Sequence, residues 1–324
     1  MILIRKIHRW YILALLNAVL VLACSSTPAF AGKMLVAAVM SSDIPRYNIA
    51  HRSLVKALAQ KGYDQSIVEI IAHAPNPDPI SFANVIRKFQ ALGADLIVTY
   101  GAPATLAAIR EATGIPILFV DVYAPVETGV TRSMTFARKN LSGISSKVPM
   151  ITLVKTAMDI RKIKKLGVIY NSREAGSLVQ FQELKRIAVQ EGFAVVDANL
   201  STSGGLDQVL NALLPQIDCL FVSECFIASR QLERIITRAN SFRVPVISLI
   251  PDSVEKGAMV SLEISPAEQG QMAGEYAARV LNGAIPGEMP ILVPNKIDLV
   301  VNMRAAKVLD LHLPPLGHNV KIFK

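Results

Sequence analysis

Leu166-Gly167-Val168-Ile169-Tyr170-Asn171-Ser172-Arg173-Glu174-Ala175-Gly176-Ser177 decides the fold. An apolar run stops at small and polar residues, and Leu178, Phe181, Leu184 and Ile187 then recur at helical spacing until Gly192. The stretch reads as strand, turn and helix. In open α/β sheets, ligands sit outside the carboxyl ends of strands, where turns expose backbone N–H groups and helix N-termini attract negative charge.

The same pattern extends in both directions. Downstream, Ala194–Ala198, Cys219–Val222 and Val246–Leu249 read as strands, separated by helical patterns over Leu206–Leu214 and Leu232–Ala239. Upstream, a strand at Leu35–Val39 ends at Ser41-Ser42-Asp43, and a helix from about Ile49 carries Leu54, Val55 and Leu58 on one face. Ile67–Ile71 and Leu96-Ile97-Val98 are the next strands, with a helix through Phe82, Ile86 and Phe89 between them. Tyr100-Gly101-Ala102-Pro103-Ala104 turns into another helix, and Ile117–Val120 ends at Asp121-Val122-Tyr123. Strand alternating with helix predicts parallel sheets covered on both faces, with right-handed crossovers bringing these turns to one edge. Residues 34–120 and 166–249 read as two copies of one Rossmann-like lobe.

The tail breaks the alternation. Ser265-Pro266-Ala267-Glu268 opens a helix that runs to Gly283, with Ser265 as N-cap. A strand over Ile297–Val301 and a short helix over Arg304–Leu309 follow. A helix and a strand left over after two lobes imply that the chain crosses back between them. The expected division is 33–148 plus about 263–284 in the first lobe, and 149–262 plus about 285–324 in the second. Lobes joined by several crossings form a hinged cleft suited to a small molecule.

Composition bounds the function. The 324 residues are 52% hydrophobic, ample for a folded core. Arg5, Lys6 and Arg9, the apolar run Trp10–Ala23 and the small-x-small site Ala29-Phe30-Ala31 read as a secretory signal peptide over residues 1–31. A competing route is lipidation of Cys24 within the lipobox-like Val21-Leu22-Ala23-Cys24. Either route exports the protein, to the periplasm or another extracytoplasmic space. The chain has 34 basic and 25 acidic residues, without a basic stripe interleaved with aromatics, which excludes nucleic acid as the expected partner. Cys219 sits in an apolar strand pattern and reads as a core thiol.

Metal, nucleophilic and nucleotide chemistry have no sequence support. His51, His73, His312 and His318 lack ligand spacing, and neither a Gly-x-Ser-x-Gly elbow nor a phosphate-binding glycine loop occurs. No cofactor or metal is expected, and no enzyme. The strand-end turns remain. Tyr100–Ala104 and Tyr170–Ser177 read as equivalent turns of the two lobes. Backbone donors there, with Asn171 and Ser177, suit a carboxylate, while Tyr100, Tyr123 or Phe226 can stack on an apolar body. Glu174, Glu224 and Asp121 are available to an ammonium group, so a zwitterion such as an amino acid is the ligand expected. Ser41, Ser42, Gly101, Ala102, Pro103, Ala104 and Ser223 complete the predicted surface. For each turn, ordinary capping by Ser and Asn is the competing explanation.

These residues resemble a known family. Tyr170-Asn171-Ser172-Arg173-Glu174-Ala175-Gly176-Ser177 is similar to the Tyr-Asn-x-x-Glu-x-Asn-Ser stretch of ABC-transporter substrate-binding proteins of the tryptophan and tyrosine type. Gly101-Ala102-Pro103-Ala104, Asn140-Leu141-Ser142-Gly143 and Asn302-Met303-Arg304-Ala305-Ala306 match as well, so the resemblance runs from about Leu35 to Pro314. It implies a type I periplasmic-binding-protein fold with a three-crossover hinge, closing on a small organic solute that an ABC permease of the inner membrane receives, with the binding protein a monomer. Departures are Gly176 for a frequent Asn, Ala124 for the Asp before Pro125, and Asp310 for a common Gly. An exported sensor that signals to a membrane receptor is the other expectation for such a cleft.

Overall fold

The computed structural model describes residues 32–135, 140–315 and 320–324. The expected signal peptide, Cys24 and His318 lie outside the described residues. Met34–Lys324 forms one compact unit containing two sheets.

The first sheet holds β1 (Met34–Met40), β2 (Val68–His73), β3 (Leu96–Tyr100), β4 (Ile117–Val122) and β5 (Leu141–Ser145) in the order β2-β1-β3-β4-β5. All its pairs are parallel. Helices α1 (Pro45–Gln60), α2 (Pro79–Ala91) and α3 (Ala102–Glu111) connect the strands. Each has proline in its first two positions, where the missing N–H costs no intrahelical bond. The helix expected from about Ile49 therefore starts at Pro45, four residues earlier.

The second sheet adds β6 (Lys165–Tyr170), β7 (Ala194–Asn199), β8 (Cys219–Val222), β9 (Val246–Ser248), β10 (Val260–Ile264), β11 (Ile297–Asn302) and β12 (Val320–Phe323), in the order β7-β6-β8-β9-β10-β11-β12. Only β10 against β11 is antiparallel. Its helices are α4 (Met150–Ile160), α5 (Ala175–Glu191), α6 (Leu206–Leu213), the single-turn α7 (Phe226–Arg230) and α8 (Leu232–Ser241). The order β7-β6-β8-β9-β10 repeats β2-β1-β3-β4-β5, so the two lobes share one doubly wound topology. The strand order reverses beside β1 and β3 in one lobe and beside β6 and β8 in the other, which is where such folds hold ligands.

α9 (Pro266–Leu281) leaves β10 and returns to the first lobe, where it packs along α1; α10 (Met303–Val308) follows β11. Ser265 caps α9 by accepting from Glu268 N. Gly270 and Gly274 let the two helices close on each other, because a Cβ at Gly270 would lie 2.0 Å from Ala50 O. The crossings number three: after β5, after β10 and before β11. The third falls later than expected. Leu292 pairs with Ile144 beside β5, and Met289 and Ile291 enter first-lobe cores, so residues 286–292 belong to the first lobe and the chain crosses after Leu292 instead of near residue 285. Cys219 and Cys225 are both buried free thiols, and burial pushes each up to about 12.

Candidate functional site

Topology corrects the pairing of turns. β3 corresponds to β8, and β1 to β6. The counterpart of Tyr170–Ser177 is therefore the turn after β1, Met40 to Tyr47, and the counterpart of Tyr100–Ala104 is the turn after β8, Val222 to Phe226. All four turns meet at the cleft.

Two kinds of space lie there. The larger, about 630 Å³, is walled by Ser41, Phe82, Pro103 and Leu106 of the first lobe and by Asn171, Glu174, Phe226 and Ile227 of the second, with Arg110, Arg173 and Arg230 around it. The smaller, an inner chamber of about 30 Å³, is lined by Arg46, Gly101, Ala102, Pro103, Asp121, Tyr123, Ser177, Gln180 and Glu224. Glu174 borders both.

The inner chamber is already occupied by its own charges. Arg46, in the first turn of α1, reaches across the cleft: its Nη1 donates to Glu224 Oε1 at 3.2 Å, and its Nε lies 2.9 Å from Asp121 Oδ2. Gln180 on α5 holds Glu224 from the other side, its Nε2 donating to Oε2 at 2.6 Å and its Oε1 accepting Glu224 N at 3.0 Å. All three charged side chains are at most one-tenth exposed. Burial raises the Glu224 carboxyl to about 7, against the opposing pull of Arg46 and with Asp121 adding to the rise. A second bond across the lobes runs from Tyr123 Oη to Glu183 Oε2 at 2.8 Å. Asp121 and Ala124 both hold φ in the left-handed region, at 56° and 46°, which turns the chain at the end of β4 so that Asp121 faces Arg46 while Tyr123 and Ala124 pack into the second lobe's core.

The turn after β6 is built from side-chain bonds to backbone. Ser177 Oγ accepts Asn171 N at 2.8 Å and bonds Ser223 Oγ at 2.7 Å. Asn171 Nδ2 donates to Glu174 Oε1 at 2.9 Å, and both Glu174 oxygens accept Phe226 N at 3.1 Å. Burial raises the Glu174 carboxyl above its ordinary range, with these donors pulling the other way. Glu174, the N-cap of α5, makes no side-chain cap bond to its own helix. In the first lobe Ser41 Oγ takes the cap role for α3 by accepting Ala104 N at 3.0 Å. Gly101, at φ 82°, begins that helix; a Cβ there would come 2.3 Å from Tyr47 Oη.

The predicted surface is thus divided. Ser41, Pro103, Asn171, Glu174 and Phe226 line the large cavity; Gly101, Ala102, Asp121, Tyr123, Ser177 and Glu224 line the inner chamber. Neither wall includes Ser42, Tyr100, Ala104 or Ser223. Tyr100 is fully buried behind its turn, its hydroxyl 3.0 Å from His51 Nδ1 and its ring against Tyr47, so stacking on a ligand is not available to it. Ser223 is equally buried, bonded to Ser177. Sequence reading missed Arg46, Gln180, Phe82 and the three arginines. Pro45 as a helix start was the signal that could have found Arg46, since it puts residue 46 in a first turn at the sheet edge.

Among the described residues no group of His, Cys, Asp and Glu is arranged to hold a metal ion, and no helix is long and apolar enough to cross a membrane. Comparison with known proteins agrees with the geometry. A tyrosine-binding protein of Clostridioides difficile is 31% identical over 271 residues, covering 82% of this chain and 78% of that protein. Among solved structures, a conserved domain protein of Vibrio cholerae matches with a TM-score of 0.86 at 25% identity, over 90% of this chain and 100% of the other. An ABC domain of Streptococcus pneumonia in complex with L-Trp gives 0.85 at 20% identity over the same shares. A ligand-free, open substrate binding protein from Clostridium difficile gives 0.68 at 28%, over 90% and 99%. The family model described as ABC transporter substrate binding protein matches residues 35–315, and the chain belongs to that family.

Proposed function

We propose that this member of the family, a solute-binding component of an ABC transporter and not an enzyme, binds an amino acid or a related carboxylate in the large cavity. The observation that carries the reading is that cavity: about 630 Å³, walled by both lobes, with Phe82 and Phe226 as aromatic surface and Glu174, held by Asn171, at the border with the inner chamber. An apolar body fits between the aromatic walls, and an ammonium group is matched by Glu174. The tyrosine-binding relative and the neighbour complexed with L-Trp support an amino acid with a large side chain.

The mechanism follows from which lobe owns each wall. A solute touching Phe82 and Phe226 together gains its full contact only when the cleft is shut, so binding energy becomes closure energy. Arg46–Glu224 and Tyr123–Glu183 then hold a shape that a permease can distinguish from the open one. Substrate-binding proteins of this family act outside the cytoplasm on small solutes and work with permease partners. For this chain we take the leader over residues 1–31, or lipidation at Cys24, as the export route, and a monomer as the working form.

Native mass spectrometry of protein purified without refolding, followed by calorimetry with L-tyrosine and L-tryptophan, tests the reading. A co-purified amino acid, or saturable heat with either compound, is the expected result. Saturable binding of a sugar with no heat from any amino acid overturns it.

A further inference from the structure

The charges along the cleft are sorted. Arg46, Asp121, Glu174 and Glu224 line the inner chamber, an excess of two negative charges. Around the large cavity the charged residues are Arg110, Arg173, Arg230 and the same Glu174, an excess of two positive charges. The arginines come from three separate elements: the last turn of α3 in the first lobe, the turn after β6, and α7 in the second lobe. Among the described residues none of the three forms an ion pair, although Glu111, beside Arg110 in sequence, is held by Arg87 at 2.8 Å. Arg230 lies over the Phe226 ring with its guanidinium 5.6 Å from the centroid, which fixes it beside the aromatic wall. Glu174 accepts Phe226 N at both oxygens and Asn171 Nδ2 at one, and it forms no ion pair with the three arginines.

We propose that Arg110, Arg173 and Arg230 form an anion subsite in the wall of the cavity, and that the solute carries an anionic group, a carboxylate or a phosphate, on the part of its body distal to its amino-acid backbone. This rests on the large cavity being the solute site and narrows its class: an apolar or aromatic body with a distal negative charge. Guanidinium groups suit carboxylate and phosphate because their donors pair with two oxygens at once. The first lobe supplies one arginine and the second lobe two, so the distal anion also rewards closure.

The test is calorimetry of the full chain with three probes sharing one amino-acid backbone: L-tyrosine, 4-carboxy-L-phenylalanine and O-phospho-L-tyrosine. At low salt both anionic probes are expected to bind about tenfold or more tightly than L-tyrosine. That advantage should shrink in 0.5 M salt, because exposed charges are screened at roughly 0.1 M and above. It should also fall to about twofold in Arg110→Gln/Arg173→Gln/Arg230→Gln, whose exposed substitutions leave the melting temperature unchanged. Tight binding of L-tyrosine with weaker binding of both anionic probes overturns the subsite and leaves the amino-acid reading standing. Retention of the advantage by the triple variant overturns the assignment to these arginines. Binding of none of the three overturns both readings.

Discussion

The inner chamber and the large cavity border one another at Glu174, yet they are built on opposite principles. In the chamber every charge faces a countercharge or an amide: Arg46 meets Asp121 and Glu224, and Gln180 fills the remaining positions of Glu224. Around the cavity the three arginines are exposed and, among the described residues, form no ion pair. Buried charge paired across the lobes holds parts together; exposed arginines beside a void leave room for an anion. On the proposed reading the chamber is a latch between the lobes and the cavity takes the solute.

The largest expected effect is on the latch. Arg46→Met leaves Asp121 and Glu224 buried without their cation, a situation that costs about 3–5 kcal/mol when a buried pair is broken. The lobes can avoid that cost by opening, which rehydrates both carboxylates. Small-angle scattering should therefore show a larger radius of gyration for the variant without solute, and thermal denaturation a lower Tm. An unchanged radius with a normal Tm would mean that the chamber is not a latch.

Proton uptake sharpens the same contrast. Glu224 in the closed form titrates at about 7, above its ordinary 4.5, with burial as the main cause. A carboxyl raised in this way keeps its proton in the closed form over a range where the open form has lost it, so closure is favoured at low pH and weakens as pH rises from 4.5 through about 7. Glu174, also raised by burial, adds in the same direction. An inter-lobe fluorescence pair should report opening across that window, and Glu224→Gln should flatten the response. A pH response surviving in Glu224→Gln would point to the other raised carboxyl of the chamber, Glu174.

Much of the architecture could be read from period alone. The alternation from Leu35 to Leu249 placed the strands that build both switch points, because parallel strands buried on two faces are continuous apolar runs. β5, β10 and β12 escaped because Leu-Ser-Gly-Ile-Ser, Val-Ser-Leu-Glu-Ile and Val-Lys-Ile-Phe mix polar residues into runs of four or five. The site was legible only as a set of turns. Which turns correspond depends on strand order, and the choice of Tyr100–Ala104 as the partner of Tyr170–Ser177 set the end of the third strand in one lobe against the end of the first strand in the other. Arg46 and Glu224 are 178 residues apart, beyond any local window. Tyr100 lies next to a cleft turn in sequence, but it is the last residue of β3 and its ring falls on the side covered by α1.

A smaller effect separates scaffold from solute contact. Ser177 is 1% exposed, and its Oγ accepts Asn171 N and bonds Ser223 Oγ. Ser177→Ala leaves a buried N–H and a buried hydroxyl short of partners, which costs about 1–3 kcal/mol. Chemical denaturation should show that loss without solute present. If stability were intact while affinity fell, Ser177 would belong with the solute-contacting groups instead of with the turn's support.

The smallest expected effect decides most directly whether solute enters the chamber. Gly176 lies in the first turn of α5 with ordinary helical backbone, and a Cβ there would meet only Tyr123 Cβ, at 3.8 Å, a normal contact. Gly176→Asn, which supplies the residue frequent at this place in the family pattern, should therefore change stability by less than about 0.5 kcal/mol, since asparagine is a better helix residue than glycine by only a few tenths. Its amide would point at a chamber of about 30 Å³ that has room for roughly one water molecule. If the solute occupies only the large cavity, affinity should stay within about twofold of the parent protein, well under the 1.4 kcal/mol that a tenfold change represents. If part of the solute extends past Glu174 toward Arg46, the added amide competes for that space and affinity must move by much more. Calorimetry on this variant, with stability held constant, thus tells a latch beside a binding site from a binding site in two rooms.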